Sequence, residues 1–362
     1  MKKVLFITES LSRNGTETFI MNVFRMIDKK KFLFDFLLFT DSTIGYYDEA
    51  KSLGATIFRL PKRKEGYIKY RKELDTFFKE KAFNYVAIHW CGCSLTSIAP
   101  IYYAKKYGIP IRIVHAHNSN THGLHNKIFH YLNRTRISSV STHAMACSDV
   151  AAKYFFKSTK LEKQCVIVKN GIDLDFFQFD LQKRLDMRNQ LGISDEFVIG
   201  HVGRFTKVKN HNFLIDVFAE VIKERKAKLL LIGEGETMDE IKEKVLNLGL
   251  QNSVRFLGLC NNVNDILQVM DCFLFPSFYE GLPFALVEAQ AAGLPIYTST
   301  NVSSEVDITN NVTFISLEKD AKFWAREILS YEFNRINVND KIIKKGYSIK
   351  DTVDFLEGVY SI

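Results

Sequence analysis

The chain has 362 residues, 46% hydrophobic and 25% charged, with a net charge of +8. This mix excludes a largely disordered, collagen-like or low-complexity chain, and no apolar run approaches the roughly 18–20 residues of a membrane-spanning helix. The charge is uneven, with 28 Lys+Arg and 15 Asp+Glu in residues 1–175 (+13) against 21 and 26 in the rest (−5), and a basic half suits an anionic partner: nucleic acid, a phosphorylated ligand or an anionic membrane face.

Met1–Ser10 has the charge of a signal peptide, but its apolar stretch, Val4–Ile7, is too short for an h-region and reads as a buried first strand. Thr18–Ile27 then carries Phe19, Ile20, Val23, Phe24 and Ile27 at helical spacing. Strands are predicted at Phe34–Phe39, Ala55–Arg59, Tyr85–His89, Ile111–His115, Ala144–Cys147 and Val166–Val168, with helices over Tyr67–Lys81 and Leu95–Tyr107. Alternating strand and helix means parallel strands joined by crossovers, the doubly wound α/β plan.

The plan then restarts. Strands are predicted at Phe197–His201, Leu229–Ile232, Val254–Phe256, Cys272–Phe275 and Ile296–Thr298. Helices fall over Phe213–Lys223, Met238–Leu248, Asn264–Met270 and Leu286–Ala292. The polar stretch Asp173–Ser194 lacks a sustained strand pattern and marks the boundary. Domains are therefore expected over 1–175 and 176–345, with a C-terminal segment over 346–362 whose Val353, Leu356 and Val359 fall at helical spacing. No 20–50-residue repeat is visible. Ligands of open α/β sheets sit beyond the carboxyl ends of the strands, so two sheets predict a cleft between them.

Six scattered cysteines, with no CxxC, read as reduced thiols, and Cys91-Gly92-Cys93 is too tight for a usual zinc knuckle. The strongest motif is Phe275-Pro276-Ser277-Phe278-Tyr279-Glu280-Gly281-Leu282-Pro283-Phe284, a strand end, a turn and a helix start whose free N–H groups suit phosphate oxygens. Glu280 and Glu288 offer two carboxylates to sugar hydroxyls; the bland alternative has Glu280 capping the helix and Glu288 facing solvent. Gly203-Arg204, with Lys209, follows the first strand of the second half and forms a candidate diphosphate clamp, or two solvated loop cations. Asn14-Gly15-Thr16-Glu17 is a strand–helix turn suited to a phosphate or a sugar, or a plain turn. His115 and His117 share one side of a strand end, placed to hydrogen-bond a substrate or to act as a base near pH 7. A metal would want a third ligand, and none is obvious nearby; His89, His122, His125 and His130 read as packed or solvated. Gly233-Glu234-Gly235 opens like a dinucleotide fingerprint but lacks its third glycine, so it reads as a cleft-lining loop. Arg59–Lys72 packs seven basic residues among aromatics, Lys62, Arg63, Lys64, Lys69, Arg71 and Lys72 among them. Such a segment sits on an anionic bilayer, binds nucleic acid or is a solvated face.

Together these residues resemble the retaining GT-B glycosyltransferases of family 4, of the capsular and exopolysaccharide type, over nearly the whole chain. The most specific likeness is the E-x7-E pattern, Glu280 to Glu288, with Lys169-Asn170-Gly171-Ile172-Asp173 and Phe256-Leu257-Gly258 in the family's order. The family's Gly-Gly-x-Glu is Asn14-Gly15-Thr16-Glu17 here, and of two competing histidines His117 is favoured.

The resemblance implies two Rossmann-like domains facing each other across a cleft, a C-terminal helix over 346–362 that crosses back to the first, and no required cofactor or metal. A nucleotide sugar, preferably a UDP-sugar, would be the co-substrate. Its diphosphate would be held by Arg204, Lys209 and the N–H groups near Phe284. Glu288 would take the ribose, Glu280 a donor sugar hydroxyl, and Gly258 and Leu259 the base. Gly203, Gly233, Gly281 and Leu282 would line the donor site, to which the first domain would add Gly15, Thr16 and His117. The catalytic set would be Glu280, His117, Arg204 and Lys209. The transferred hexose would pass to a lipid-linked or growing glycan, at the cytoplasmic face of a membrane met by the 62–72 cations, with no nucleic acid involved. The competing readings are a non-catalytic partner subunit of another transferase and a nucleotide-sugar epimerase.

Overall fold

The computed structural model describes residues 1–118, 120–121, 123–260, 262–330, 335 and 337–361. They form two compact units, Met1–Gly171 with Gly346–Ile362, and Ile172–Lys345. Each is built on one parallel sheet, in keeping with the GT-B reading of the sequence.

In the first unit the strands are β1 (Lys2–Thr8), β2 (Phe32–Leu38), β3 (Ile57–Arg59), β4 (Tyr85–Gly92), β5 (Ile111–Ala116), β6 (His143–Ala146) and β7 (Val166–Ile167), in the order β3-β2-β1-β4-β5-β6-β7. Val4 to Ile7 is apolar without alternation because β1 lies centrally and is covered on both faces; all four side chains are fully buried. The C-terminal helix Ile349–Ser361 belongs to this unit, packs on the Gly15–Met26 helix and buries Val353, Leu356 and Tyr360. Gly171 allows its approach: a Cβ there would lie 2.8 Å from the Ile349 Cα.

In the second unit β8 (Phe197–Val202), β9 (Ala227–Ile232), β10 (Val254–Gly258), β11 (Cys272–Phe275), β12 (Ile296–Ser299) and β13 (Val312–Ile315) run in the order β10-β9-β8-β11-β12-β13. The amphipathic His211–Glu224 helix packs Leu214, Val217, Phe218 and Val221 onto Leu229, Leu231, Leu274 and Trp324.

Several local expectations change. The stretch 173–194 holds two helices, Leu174–Phe177 and Leu181–Gln190, capped by the carboxylates of Asp173 and Asp180. The helix expected from Leu95 starts at Ala99, because Ser94–Thr96 forms a side-chain-bonded turn and Pro100 takes the first helical turn. The Leu124–Val140 and Asp149–Phe156 helices were not predicted, nor were β13 and the Ala321–Leu329 helix. His122 lies outside the described residues.

Candidate functional site

In the second unit the polar candidates follow four strand ends, and backbone hydrogen bonds lace their loops together. The N–H of Gly203, after β8, donates to Ile232 O (2.9 Å), that of Phe205 to Glu234 O (3.0 Å), and that of Gly233, after β9, to Gly258 O (2.8 Å). Gly233 sits at φ +131°, and a Cβ there would fall 2.1 Å from the Gly203 carbonyl oxygen, so only glycine lets these turns meet. The loop after β11 joins them: Phe278 N donates to Val208 O (2.8 Å) and Asn210 Nδ2 to Pro276 O (3.1 Å). Asn210 takes the left-handed conformation (φ 54°) that turns the chain from Lys209 into the His211–Glu224 helix.

This lacing brings Lys209 Nζ to 2.6 Å from Glu280 Oε1, with both side chains largely buried. The same ammonium lies 4.5 Å from the centre of the Phe275 ring. Glu280 therefore does not cap the following helix: its backbone bridges to Val302, and the N-cap of Phe284–Ala291 is Pro283, with no side-chain cap bond. The helix's first N–H groups are thus left for an incoming acceptor. Glu288 is half-buried, rather than turned to solvent, while Arg204 and Gly281 are exposed and Leu259 is 53% exposed. Beneath Lys209 sit two histidines that sequence reasoning missed. His201 is fully buried, with Nδ1 2.8 Å from Leu274 O, and His211 stacks on Phe205 at 4.0 Å. Burial pushes both rings toward the neutral form, His211 down to about 4.

In the first unit Gly15 opens the Gly15–Met26 helix and Thr16 lies in its first turn. Glu17, buried in that turn, accepts from Thr8 Oγ1 (3.2 Å), and burial raises its pKa. His115 and His117 do lie together, with ring centres 4.1 Å apart. Burial depresses His117 to about 3, so near pH 7 it is a neutral hydrogen-bonding group and a weak base. Its residue is half-buried, yet its Nε2 is shut off from solvent without a partner among the described residues. His89, which the sequence reads as packed or solvated, lies fully buried against His115. Cys91 joins these two in a set whose ligand atoms all fall within 4.8 Å, and which sequence spacing did not show. The inner nitrogens of the two histidines already share a hydrogen bond, and burial holds the Cys91 thiol protonated, a set suited to a neutral array more than to a cation.

The basic segment divides. Arg63 donates to Thr96 O (2.7 Å) and lies over Phe129, and Arg71 donates to Tyr103 Oη (2.9 Å), whereas Lys64, Lys69 and Lys72 are exposed beside exposed Tyr67 and Ile68. The Arg63–Phe129 contact joins this segment to the Leu124–Val140 helix, which exposes Leu124, Ile128, Phe129, Tyr131 and Leu132 and carries no acidic residue. Against the basic segment itself, a polar cavity of about 500 Å³ opens past β2 and β3, lined by Thr40, Asp41, Ser42, Arg59, Lys62 and Lys69 among others.

The sequence pattern of glycosyl transferases group 1 matches residues 183–349. EpsF of Bacillus subtilis (strain 168), which carries the name of a glycosyltransferase, is 32% identical over 374 residues, spanning 100% of this chain and 97% of that protein. The capsular polysaccharide biosynthesis glycosyltransferase CapH of Staphylococcus aureus is 26% identical over 375 residues, 99% of each chain. The crystal structure of Anabaena Alr3699/HepE in complex with UDP and glucose superposes with a TM-score of 0.80 over 100% of both chains at 18% identity, a likeness of fold. The chain belongs to the glycosyl transferases group 1 and has their GT-B fold.

Proposed function

We propose that the protein is a retaining hexosyltransferase of surface polysaccharide assembly, using a UDP-sugar and a glycan or lipid-linked glycan acceptor. The observation that carries this reading is the Lys209–Glu280 pair, set beside an uncapped helix start at the carboxyl ends of β8 and β11. Breaking the donor's sugar–phosphate bond leaves negative charge on the diphosphate. Lys209, Arg204 and the N–H groups at Phe284 oppose that charge with fixed dipoles and cations, so the step calls for no metal ion. Glu280, with one oxygen on Lys209, offers the other to a hydroxyl of the donor sugar, and Glu288 accepts from the ribose. The base packs by Gly258 and Leu259, between Gly203, Gly233, Gly281 and Leu282. Gly15, Thr16 and neutral His117 are assigned to binding of the sugar. In a same-face displacement the leaving phosphate takes the acceptor's proton, so no general base is needed. The name of CapH and the UDP bound by HepE support the substrate class.

The acceptor's lipid side is read from the exposed lysines at 64, 69 and 72 and the apolar ridge of the Leu124–Val140 helix, a pairing suited to an anionic bilayer. No helix among the described residues is long and apolar enough to cross a membrane. A thermal-shift panel of UDP, GDP and their sugars tests the donor. UDP-sugars should raise Tm in the wild type and not in Lys209→Ala. A rise with neither nucleotide, or an equal rise in the variant, overturns the assignment. Transfer of label to an added glycolipid separates a transferase from an epimerase, which needs donor alone.

A further inference from the structure

The Ile349–Ser361 helix carries one polar group deep into the first unit. Tyr360 is fully buried, and its hydroxyl lies 2.6 Å from Nδ1 of His89. Nε2 of His89 lies 3.1 Å from Nδ1 of His115, and the His115 ring lies 4.1 Å from that of His117. The array thus runs from the C-terminal helix through β4 and β5 to the candidate site histidine.

The direction of its protons follows from the Tyr360 end. Each contact holds one proton, so every member must donate in the same direction. Among the described residues the buried Tyr360 hydroxyl has no hydrogen-bond partner other than Nδ1 of His89, so its proton goes there. His89 then carries its own proton on Nε2 and donates it to Nδ1 of His115, which leaves the His115 proton on Nε2. The reverse direction would leave the Tyr360 proton buried without an acceptor. Burial keeps the phenol protonated and the imidazoles neutral, as this arrangement requires.

His117 depends on that arrangement for its seat. Its Nε2 has no hydrogen-bond partner among the described residues, and its ring is held between His115 and Phe19, whose centre is 5.1 Å away. We propose that Tyr360 is a positioning residue: its hydroxyl selects the tautomers of His89 and His115, and so fixes the surface on which His117 is oriented. The inference rests on the reading that His117 serves the transfer.

The test compares the full-length wild type with Tyr360→Phe, His117→Ala and the double variant His89→Gln/Tyr360→Phe. The readouts are Tm, UDP release from the fastest of UDP-glucose, UDP-galactose and UDP-N-acetylglucosamine, and imidazole ¹⁵N spectra. Tyr360→Phe keeps the ring and should hold Tm within about 2 °C and KM within about twofold, while kcat falls about tenfold or more. The His115 spectrum should pass from one Nε2–H tautomer to a mixture. The glutamine of the double variant donates an amide N–H to His115 without help from position 360, and should recover most of kcat. An unchanged kcat or an unchanged tautomer in Tyr360→Phe overturns the proposal, as does a double variant no better than the single. If Tyr360→Phe does not fold, the double variant alone decides: wild-type tautomer and activity uphold the proposal, and their loss in a folded protein overturns it. A fully active His117→Ala would instead remove the role of His117 itself.

Discussion

Lys209 and Glu280 show how a single pair sets the chemistry of a site. Each neutralises the other while no diphosphate is bound, which keeps two largely buried charges tolerable. On the proposed reading, an incoming diphosphate competes for Lys209 and leaves Glu280 an oxygen for a hydroxyl. Lys209→Ala and Arg204→Ala should each lower kcat/KM about 10²-fold, the scale of losing one transition-state donor. Arg204 is exposed, so its removal should leave Tm unchanged, whereas Lys209→Ala strands the Glu280 carboxylate and should also lower Tm. Steady-state kinetics with a thermal scan of each variant checks both statements. Both residues of the pair were legible from their loops, but their contact, across 71 positions, was not. It depends on the Phe278–Val208 and Asn210–Pro276 hydrogen bonds, for which the local sequence holds no signal.

Among the elements, the turns after β8 and β9 touch because Gly233 carries no side chain. Gly233→Ala puts a methyl against the Gly203 carbonyl at a φ of +131° and should destabilise the second unit by about 1–3 kcal/mol. Donor binding should be lost with it, as calorimetry with UDP would record. The Leu124–Val140 helix is the opposite case, because its apolar side chains turn outward. Ile128→Glu and Leu132→Glu should change stability by no more than about 0.5 kcal/mol, yet abolish flotation with anionic liposomes. Unchanged flotation would discount the ridge. That helix also shows why pattern reading failed in places. A helix is recognised by one apolar stripe facing a core, and here apolar residues also occupy the outer face, which blurs the period. Where a clear apolar period faces the core, as Tyr70, Leu74, Phe77 and Phe78 do in Tyr67–Lys81, and where a short run is bounded by turn residues, as in Cys272–Phe275, sequence and structure agree to the residue. Strand order was not legible at all, since β1 pairs with β4 across two intervening strands, β2 and β3, and the helices between them.

At the scale of the whole molecule, buried histidines govern the response to acid. His89, His115, His117, His201 and His211 all have folded pKa values below the ordinary value near 6.5. The unfolded chain therefore binds protons that the native state refuses, and stability falls as pH drops below about 6.5. Glu9 and Glu17, whose pKa values are raised by burial, act in the opposite sense and offset part of this. Each histidine that stays neutral removes about 1.4 kcal/mol per pH unit over that range. Urea titrations at pH 7 and pH 5 should show a clear loss at pH 5, before the carboxylates lowered by ion pairing begin to titrate. A flat profile would mean that these rings are protonated in the folded protein.

The first unit is discontinuous in sequence, since Gly346–Ile362 returns to it after the whole of the second. During synthesis on a ribosome, its sheet can assemble early, but the groove that takes Tyr360 stays open until every residue of the second unit has been made. Folding from the amino end cannot complete this unit first. Nascent chains arrested before codon 346 should hold a formed β-sheet with an unfilled slot, a state open to chaperones and one that cannot yet orient its own histidines.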